Sequence, residues 1–264
     1  MLKAIFPSQL ALGAAQAALC ATVALLVAWI ARRREIRVER ETAVALARGL
    51  AQIVAVGSVL VLLLRGPQWT SVFVLAGMTV AAAATSARRA RGIPGAFAVS
   101  LYSIGAGAGL LIVVMTLAGV IDAGIASLVP MGSMLIANAM NTNSLALNRF
   151  RAEVEAHAGL IETGVALGAA APETVLPYAR AAYHASLIPP IDSLRSLGIV
   201  WIPGLMTGML LSGARPLYAA IYQFVTISMM FSCAGLTSLV STLLIRNRVF
   251  TAAEQLILRP GLKA

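Results

Sequence analysis

Long apolar stretches alternate with short polar segments along this chain. About seven of the stretches reach roughly 20 residues, and they cover 8–30, 43–64, 68–87, 96–121, 128–147, 192–213 and 217–245. At about 1.5 Å rise per residue, a helix of that length crosses a hydrocarbon core of roughly 30 Å. The apolar residues are continuous rather than alternating, which favours helices over the strands of a membrane barrel. The pattern therefore predicts an all-α, polytopic membrane protein with about seven transmembrane helices.

The composition agrees with a bilayer environment. Hydrophobic residues make up 59% of the 264 residues, charged residues make up 11%, and the mean hydropathy is +0.88. A soluble domain usually carries about 25% charged residues. We therefore expect a single transmembrane domain over residues 1–264, located in the inner or plasma membrane of the cell.

Basic residues crowd into alternate gaps between the apolar stretches. Most of the 20 Lys and Arg residues lie in or beside four regions, namely 31–42, 88–95, 148–191 and 246–264. Only Lys3, Arg65 and Arg215 lie on the opposite side. Because basic residues are retained on the cytoplasmic side, this distribution predicts an outside N-terminus and an inside C-terminus. The net charge of +10 is thus spread over short loops, so a nucleic-acid partner is not expected.

The region 148–191 is longer than the other connections, and a structureless loop of that length is uncommon. We predict a cytoplasmic hairpin of two helices here. The first continues from the fifth apolar stretch and ends at Gly168, a residue type suited to a left-handed helix terminus. The second begins at Pro172, because proline suits the first helical position, and ends before Pro189-Pro190. Such a hairpin offers a surface to a soluble partner.

Polar side chains within apolar stretches are costly and are therefore functional candidates. Asn138 and Asn141 lie three residues apart on one helix face, where they can ligate a cation, bind a hydroxylated cargo or hydrogen-bond to a neighbouring helix. Asp192 opens the sixth stretch, either as a helix N-cap or as a carboxylate at the inside mouth of a pathway. Gln223 belongs to an unusually polar seventh stretch, which is expected to combine pathway lining with hydrogen bonds between helices.

Methionines supply two further candidates for the pathway, and two glycines supply a candidate site of close helix packing. Met134 and Met206 complete the candidate pathway set, since thioethers are soft metal ligands, although methionine more often fills apolar packing. Gly204 and Gly208 have the spacing that lets helix backbones approach closely, either within the chain or between subunits.

Several chemistries are not expected. His157 and His184 both fall in the region 148–191 without a cysteine or histidine cluster, so no metal site is predicted. No Ser/His or paired-carboxylate arrangement lies within the apolar stretches, so we predict no catalytic residue and no enzyme. The chain has no Gly-x-x-x-x-Gly-Lys-Ser/Thr phosphate loop, so any dependence on ATP requires a partner chain.

The second half of the chain carries a recognisable set of residues. Glu162, followed six residues later by Gly168, resembles the Glu-Ala-Ala-type coupling loop of ABC permeases, although Thr163 and Gly164 replace its alanines. Residues over about 8 to 250 resemble the FetB/YbbM-type permease family, and the densest matches are Pro130, Met131, Gly132, Met134, Asn138, Ala139, Met140, Leu167, Gly168, Ala169, Arg180, Pro189, Asp192, Gly198, Pro203, Gly204, Met206, Gly208, Gly213 and Pro216.

This resemblance implies the membrane subunit of an ABC transporter. It implies a homodimer with separate ATPase subunits, which bind ATP and Mg²⁺, so this chain needs no cofactor of its own. It assigns the coupling to the ATPase to Glu162, Leu167, Gly168, Ala169 and Arg180. Bacterial family members are linked to iron export and plant relatives to aluminium tolerance, so the implied cargo is a metal ion or a small solute such as a sugar nucleotide.

Two alternatives stay open. A secondary transporter driven by an ion gradient needs an ionisable group near mid-membrane, but only Asp122 and Asp192 approach the apolar stretches. A membrane scaffold without transport activity is the other. The chain shows no surface for a periplasmic binding protein, which favours export over import.

Overall fold

A computed structural model gives the fold of the chain. The residues that it describes are 9–35, 38–63, 66–90, 92–251 and 253–258. Their regular structure is helical, with two isolated β-bridges and no β-strand, so the predicted all-α class is confirmed. The chain divides into two compact units, Met1–Gly66 and Pro67–Ala264. Lys3 and Arg65, which bear on the predicted orientation, lie outside the described residues.

The first unit contains helices α1 (Gln9–Arg32) and α2 (Glu39–Leu63), which pack against each other. These helices correspond to the first two apolar stretches. Acidic residues in the first turn of α2 suit the positive end of the helix dipole. Arg32 and Glu39 form an ion pair across the connection, with 3.4 Å between Nη1 and Oε1. The charged residues of this connection therefore lie at the ends of both helices.

The second unit begins with three elements that match the next apolar stretches. Helix α3 (Thr70–Arg89) comes first. It is followed by α4 (Ala96–Ile104), a π-helix (Gly105–Gly109) and α5 (Leu110–Leu117), and these last three segments form one continuous helix. Helix α6 (Ile125–Ala156) is longer than the predicted fifth stretch and continues into the hairpin region, but the single helix predicted to reach Gly168 is interrupted at His157.

The remaining helices form the hairpin region and the C-terminal part of the unit. These are α7 (Ala158–Ala166), α8 (Ala171–Thr174), α9 (Leu176–Ser196), α10 (Gly204–Leu211) and α11 (Pro216–Ile245). Proline occupies a first-turn position in α8, α9 and α11, where its missing N–H costs no helical hydrogen bond. Since α9 packs along α6, the chain does fold back after α7.

Helix α6 is central to the second unit, because it packs against α3, α9 and α11. Its buried side chains divide between two apolar clusters. Phe150 and Val154 belong to one cluster, which includes Leu256 from the C-terminal segment. Leu135 belongs to the other, together with Ile104 from α4. Both clusters fix α6 relative to its neighbours and so position the polar residues between them.

The π-helix allows an unusually close helix contact. A Cβ atom added to Gly107 would lie 1.8 Å from Oγ1 and 2.9 Å from the backbone nitrogen of Thr237 on α11. Only glycine therefore fits at this crossing without movement of a backbone. Gly105 and Gly109, in the same π-helix, have no atom within 4 Å of such a Cβ.

Four helices in the described part of the chain are long and apolar enough to cross a membrane. They are Ala11–Arg32, Thr70–Arg89, Ala96–Leu117 and Pro216–Ile245. The sixth predicted stretch, 192–213, is not a single helix, so that part of the prediction is wrong. Helix α10 has only 8 residues, and at about 1.5 Å per residue it extends about 12 Å. The number of seven spans and the orientation stay predictions.

The predicted end of the second hairpin helix is also wrong. Helix α9 continues through Pro189 and Pro190 to Ser196. An interior proline costs about 3 kcal/mol in an isolated helix, but packing of α9 against both α6 and α11 outweighs that cost here. Asp192 therefore lies inside α9 and does not cap the start of a helix.

Candidate functional site

A cavity of about 440 Å³ lies between α6, α9, α10 and α11. Its volume falls within the range of about 300–1,000 Å³ that is usual for small-molecule sites. Four of the predicted pathway residues line it, namely Met134, Asn138, Asn141 and Gln223. Among the residues that the structure describes, its wall contains no carboxylate, imidazole or thiol group. The cavity is therefore lined by neutral polar groups and apolar side chains.

Asn138 is half-buried on α6 and joins that helix to α11. Its Nδ2 donates a hydrogen bond of 2.8 Å to the backbone carbonyl oxygen of Met230. Since a carbonyl only accepts, this contact fixes the orientation of the amide. Oδ1 of Asn138, the acceptor atom of the amide, takes no part in this contact, and the residue lines the cavity. Two roles predicted as alternatives, helix bonding and cavity lining, are thus combined in one side chain.

Asn141 lies one turn further along α6, on the same side of the cavity. Its Oδ1 accepts a hydrogen bond of 3.5 Å from Nη1 of Arg89, at the end of α3. A guanidinium group only donates, so this contact fixes the Asn141 amide in the opposite sense to that of Asn138. Asn141 therefore keeps Nδ2 as a donor on a residue of the cavity wall.

Gln223 lies on α11 and is 3% exposed. Its Oε1 accepts a hydrogen bond of 3.2 Å from the backbone N–H of Met206, in the first turn of α10. The contact satisfies one of the backbone donors that a helix start leaves without an internal partner. Gln223 therefore positions α10 and keeps Nε2 as a donor. Met206 contributes its backbone, and its thioether is not part of the cavity wall.

Three hydroxyl groups in the wall are bonded within their own helices. Ser186, Ser193 and Thr226 each donate to a backbone carbonyl three or four residues earlier, over 2.7, 2.9 and 3.0 Å. The oxygen lone pairs of Ser193 and Thr226 remain as acceptors, whereas Oγ of Ser186 also forms a hydrogen bond of 2.6 Å with Oγ of Ser238 on α11. Thr226 belongs to the polar seventh stretch that was expected to line a pathway in part, whereas Ser186 and Ser193 were not pathway candidates, since serine often bonds to its own helix.

The double proline of α9 forms part of the same wall. Pro189 and Pro190 have no N–H, so the carbonyl groups of Ala185 and Ser186 lack their usual helical donors. In a bilayer such carbonyls need a partner from protein, water or ligand. The double proline therefore adds acceptor capacity beside the cavity.

A break between α9 and α10 completes the site. Trp201 lines the cavity from this break, and its Nε1 donates a hydrogen bond of 3.0 Å to Oγ of Ser196. Gly198 has a φ of 78°, and its N–H donates to the carbonyl of Trp201 over 3.1 Å. Non-helical backbone is tolerated in membrane proteins where it is buried or lines a cavity. Gly198 and Pro203 are residue types that could have indicated this break, but the predicted stretch over 192–213 ran through both.

The predicted pathway residue Asp192 and a further polar residue, Asn143, lie outside the cavity. The side chain of Asp192 is 63% exposed, lies 3.9 Å from Arg195 and does not line the cavity. Asn143 is fully buried between α6, α3 and α4, and its Nδ2 donates to Oγ of Ser86 and of Ser100 over 2.7 and 2.9 Å. Asn143 therefore acts in helix packing.

The reversal after α7 forms a second candidate site at the end of the hairpin. Gly168 has a φ of 92°. Its N–H donates to the carbonyl of Val165, and the N–H of Ala169 donates to the carbonyl of Gly164, both over 3.0 Å. This pair of bonds is the Schellman motif, which requires a left-handed residue at its centre. The predicted helix end at Gly168 is confirmed.

The structure places most of the predicted coupling residues at this reversal. Glu162, Leu167, Gly168 and Ala169 are exposed there, and Leu167 is 83% exposed. Arg180 instead lies on α9, where it lines a separate groove of about 220 Å³ between α9 and α11.

Comparisons with known proteins identify related chains. The family described as "Uncharacterised protein family (UPF0014)" matches residues 14–250. Protein ALUMINUM SENSITIVE 3 of Arabidopsis thaliana is 30% identical, covering 92% of this chain and 90% of the relative. The UPF0014 membrane protein STAR2 of Oryza sativa is 30% identical, with coverage of 89% and 83%. The probable iron export permease protein FetB of Escherichia coli is 28% identical, with coverage of 91% and 93%. No solved structure matches the chain significantly.

The match to the family covers both units of the chain and includes every residue of the cavity wall. The long apolar helices agree with the membrane location in the names of the relatives. This chain therefore belongs to the UPF0014 family of multi-pass membrane permeases.

Proposed function

We propose that the chain is the membrane-spanning subunit of an ATP-driven exporter and that the cavity forms part of its cargo pathway. The observation that supports this most directly is the convergence of hydrogen-bonding side chains from three helices, and from the break between α9 and α10, on one cavity. Binding sites of transporters form in this way, where interrupted helices meet between packed neighbours. A related chain, FetB, bears the name of an iron export permease, which supports transport as the activity.

The energy source is a separate ATPase chain that binds ATP and Mg²⁺. The sequence itself has no phosphate loop. The reversal after α7 offers Leu160 and Leu167, which are 68% and 83% exposed, to such a partner. Contiguous exposed apolar patches are typical of protein contact surfaces, and these two leucines, seven residues apart, are proposed to form one. Glu162 adds a carboxylate for pairing with a basic residue of the ATPase.

The functional unit is a homodimer. Helix α10 has no buried residue, and a Cβ added to Gly204 or Gly208 would meet no atom within 4 Å. Within the described part of the chain, nothing packs closely against Gly208 on α10, and a second copy is the expected partner. We expect a Gly208→Cys variant in a Cys20→Ser background to form a disulfide-linked dimer on mild oxidation. An exclusively monomeric product contradicts this arrangement.

The coupling is tested by reconstituting the permease with its ATPase in lipid vesicles. Charge reversal in Glu162→Lys and polar substitution in Leu167→Asp are expected to lower ATPase binding and stimulation by about tenfold or more, because each removes a contact from the docking surface. Glu254→Lys makes the same charge change on the exposed C-terminal segment and is expected to have no effect.

Two results contradict the proposal. One is equal ATPase stimulation by the Glu162→Lys, Leu167→Asp and Glu254→Lys variants. The other is cargo movement by the permease alone under an imposed ion gradient, which would indicate a secondary transporter. A purified complex that shows neither transport nor ATPase stimulation would indicate a scaffold.

A further inference from the structure

The free ends of the cavity amides have a fixed polarity. The partners of Asn138, Asn141 and Gln223 are a carbonyl, a guanidinium and a backbone N–H, and each of these groups has only one hydrogen-bonding role. None of the three amides can therefore reverse without losing its protein contact. Since an amide carries two N–H donors and two oxygen lone pairs, each of these three wall residues keeps both donor and acceptor capacity; the ends without a protein contact here are Oδ1 of Asn138, Nδ2 of Asn141 and Nε2 of Gln223.

This mixture of donors and acceptors discriminates between classes of cargo. A bare metal cation is usually held by several oxygen ligands that include carboxylates; the described wall contains no carboxylate, and the N–H₂ groups of Asn141 and Gln223 oppose a cation. An anion needs donors, and Oδ1 of Asn138 and the lone pairs of Ser193 and Thr226 oppose it. A hydroxyl group both donates and accepts, so it can satisfy both kinds of wall group.

The rest of the wall favours an organic molecule over an ion. Met134, Met230, Phe231 and Trp201 supply apolar and aromatic surface to the same cavity. Desolvating an ion against such surface is costly unless opposite charges compensate, and the described wall contains no charged side chain. A solute with a carbon framework instead gains favourable contacts there.

We propose that the cavity binds an uncharged organic solute with several hydroxyl groups, and that this solute class is the cargo. The assignment rests on the proposed transport function, but binding itself does not depend on the ATPase. Its test therefore uses the permease alone, without nucleotide, so that failure of binding and failure of ATP coupling give different results.

The experiment is equilibrium dialysis of the full chain in lipid nanodiscs. Glycoside detergents are avoided, since their head groups carry the hydroxyl groups under test. The probes are radiolabelled methyl glucoside, inositol, Fe²⁺ and inorganic phosphate. We expect one or both neutral probes to bind saturably, in preference to the two ions.

The sharpest variant is Gln223→Glu. Its carboxylate can still accept the N–H of Met206, but it replaces the donor Nε2 by an acceptor and adds a charge. We expect binding of the neutral probe to weaken by about tenfold and binding of Fe²⁺ to increase. Gln255→Glu, the same change at an exposed position, is expected to leave both unchanged.

A second variant tests the same proposal independently in case Gln223→Glu does not fold. Asn141→Leu removes a donor from an exposed position of the cavity wall, where little packing depends on it. It is expected to weaken binding of the neutral probe by about fivefold. The proposal is overturned by preferential binding of Fe²⁺ or phosphate to the native chain, by no binding of either neutral probe, or by unchanged binding in both cavity variants.

Discussion

Replacing Gly107 by alanine tests the closest helix contact in the second unit. The added Cβ would lie 1.8 Å from Oγ1, 2.9 Å from Cβ and 2.9 Å from the backbone nitrogen of Thr237. Rotation of the Thr237 side chain can relieve the first overlap, but the other two require movement of α11 away from the π-helix. Thr237 is fully buried, so that movement also opens the surrounding packing.

The expected cost follows from two opposing terms. Overpacking of a buried contact destabilises proteins by about 1–3 kcal/mol, and alanine recovers up to about 1 kcal/mol of helix propensity relative to glycine. Because a backbone atom is involved, we place the overpacking term at the upper end, which leaves a net loss of about 2 kcal/mol. For a chain of this size that loss lowers the unfolding midpoint by about 4–8 °C.

The assay is thermal unfolding of the purified protein, followed by tryptophan fluorescence in one detergent. Gly105→Ala and Gly109→Ala are matched controls in the same π-helix, because their added methyl groups meet no atom within 4 Å. Both are expected to leave the midpoint unchanged or to raise it slightly. Equal midpoints for Gly107→Ala and the two controls would refute the close contact between the π-helix and α11.

Three further substitutions test other parts of the second unit. Phe150→Ala empties a fully buried site in the core around α6 and should lower the stability to denaturant unfolding by about 3–5 kcal/mol. Asn143→Ala removes two hydrogen bonds from buried serines and should cost about 2–3 kcal/mol in the same measurement, whereas no change would exclude a packing role. Pro190→Ala restores a backbone donor for the carbonyl of Ser186, so it should raise the unfolding midpoint and lower transport in vesicles.

The apolar pattern was sufficient to predict the helical class and the positions of most long helices. Local signals also worked where they act on the backbone directly, as at Gly168, whose conformation follows from the lack of a side chain. The spacing of Asn138 and Asn141 correctly placed both on one face of α6, and both line the cavity.

Sequence reasoning failed where tertiary packing overrides a local preference. The double proline was predicted to end a helix, but α9 continues because α6 and α11 support it on both sides. Because of that error, Asp192 was predicted to lie at the start of a helix, whereas it lies inside α9. The pairing of Gln223 with the backbone of Met206 was not predictable either, since it depends on how α10 and α11 meet in space.

The π-helix has a consequence for how related sequences should be aligned. A π turn accommodates one inserted residue within a helix, and each helical residue advances the side chains by about 100°. A relative that lacks one residue between positions 104 and 110 could therefore form an unbroken α-helix, with its following side chains rotated by about that angle. Ile112, buried in the core here, would then turn toward a different neighbour. A gap at this place in an alignment would mark a repacked helix, even where the flanking residues are the same.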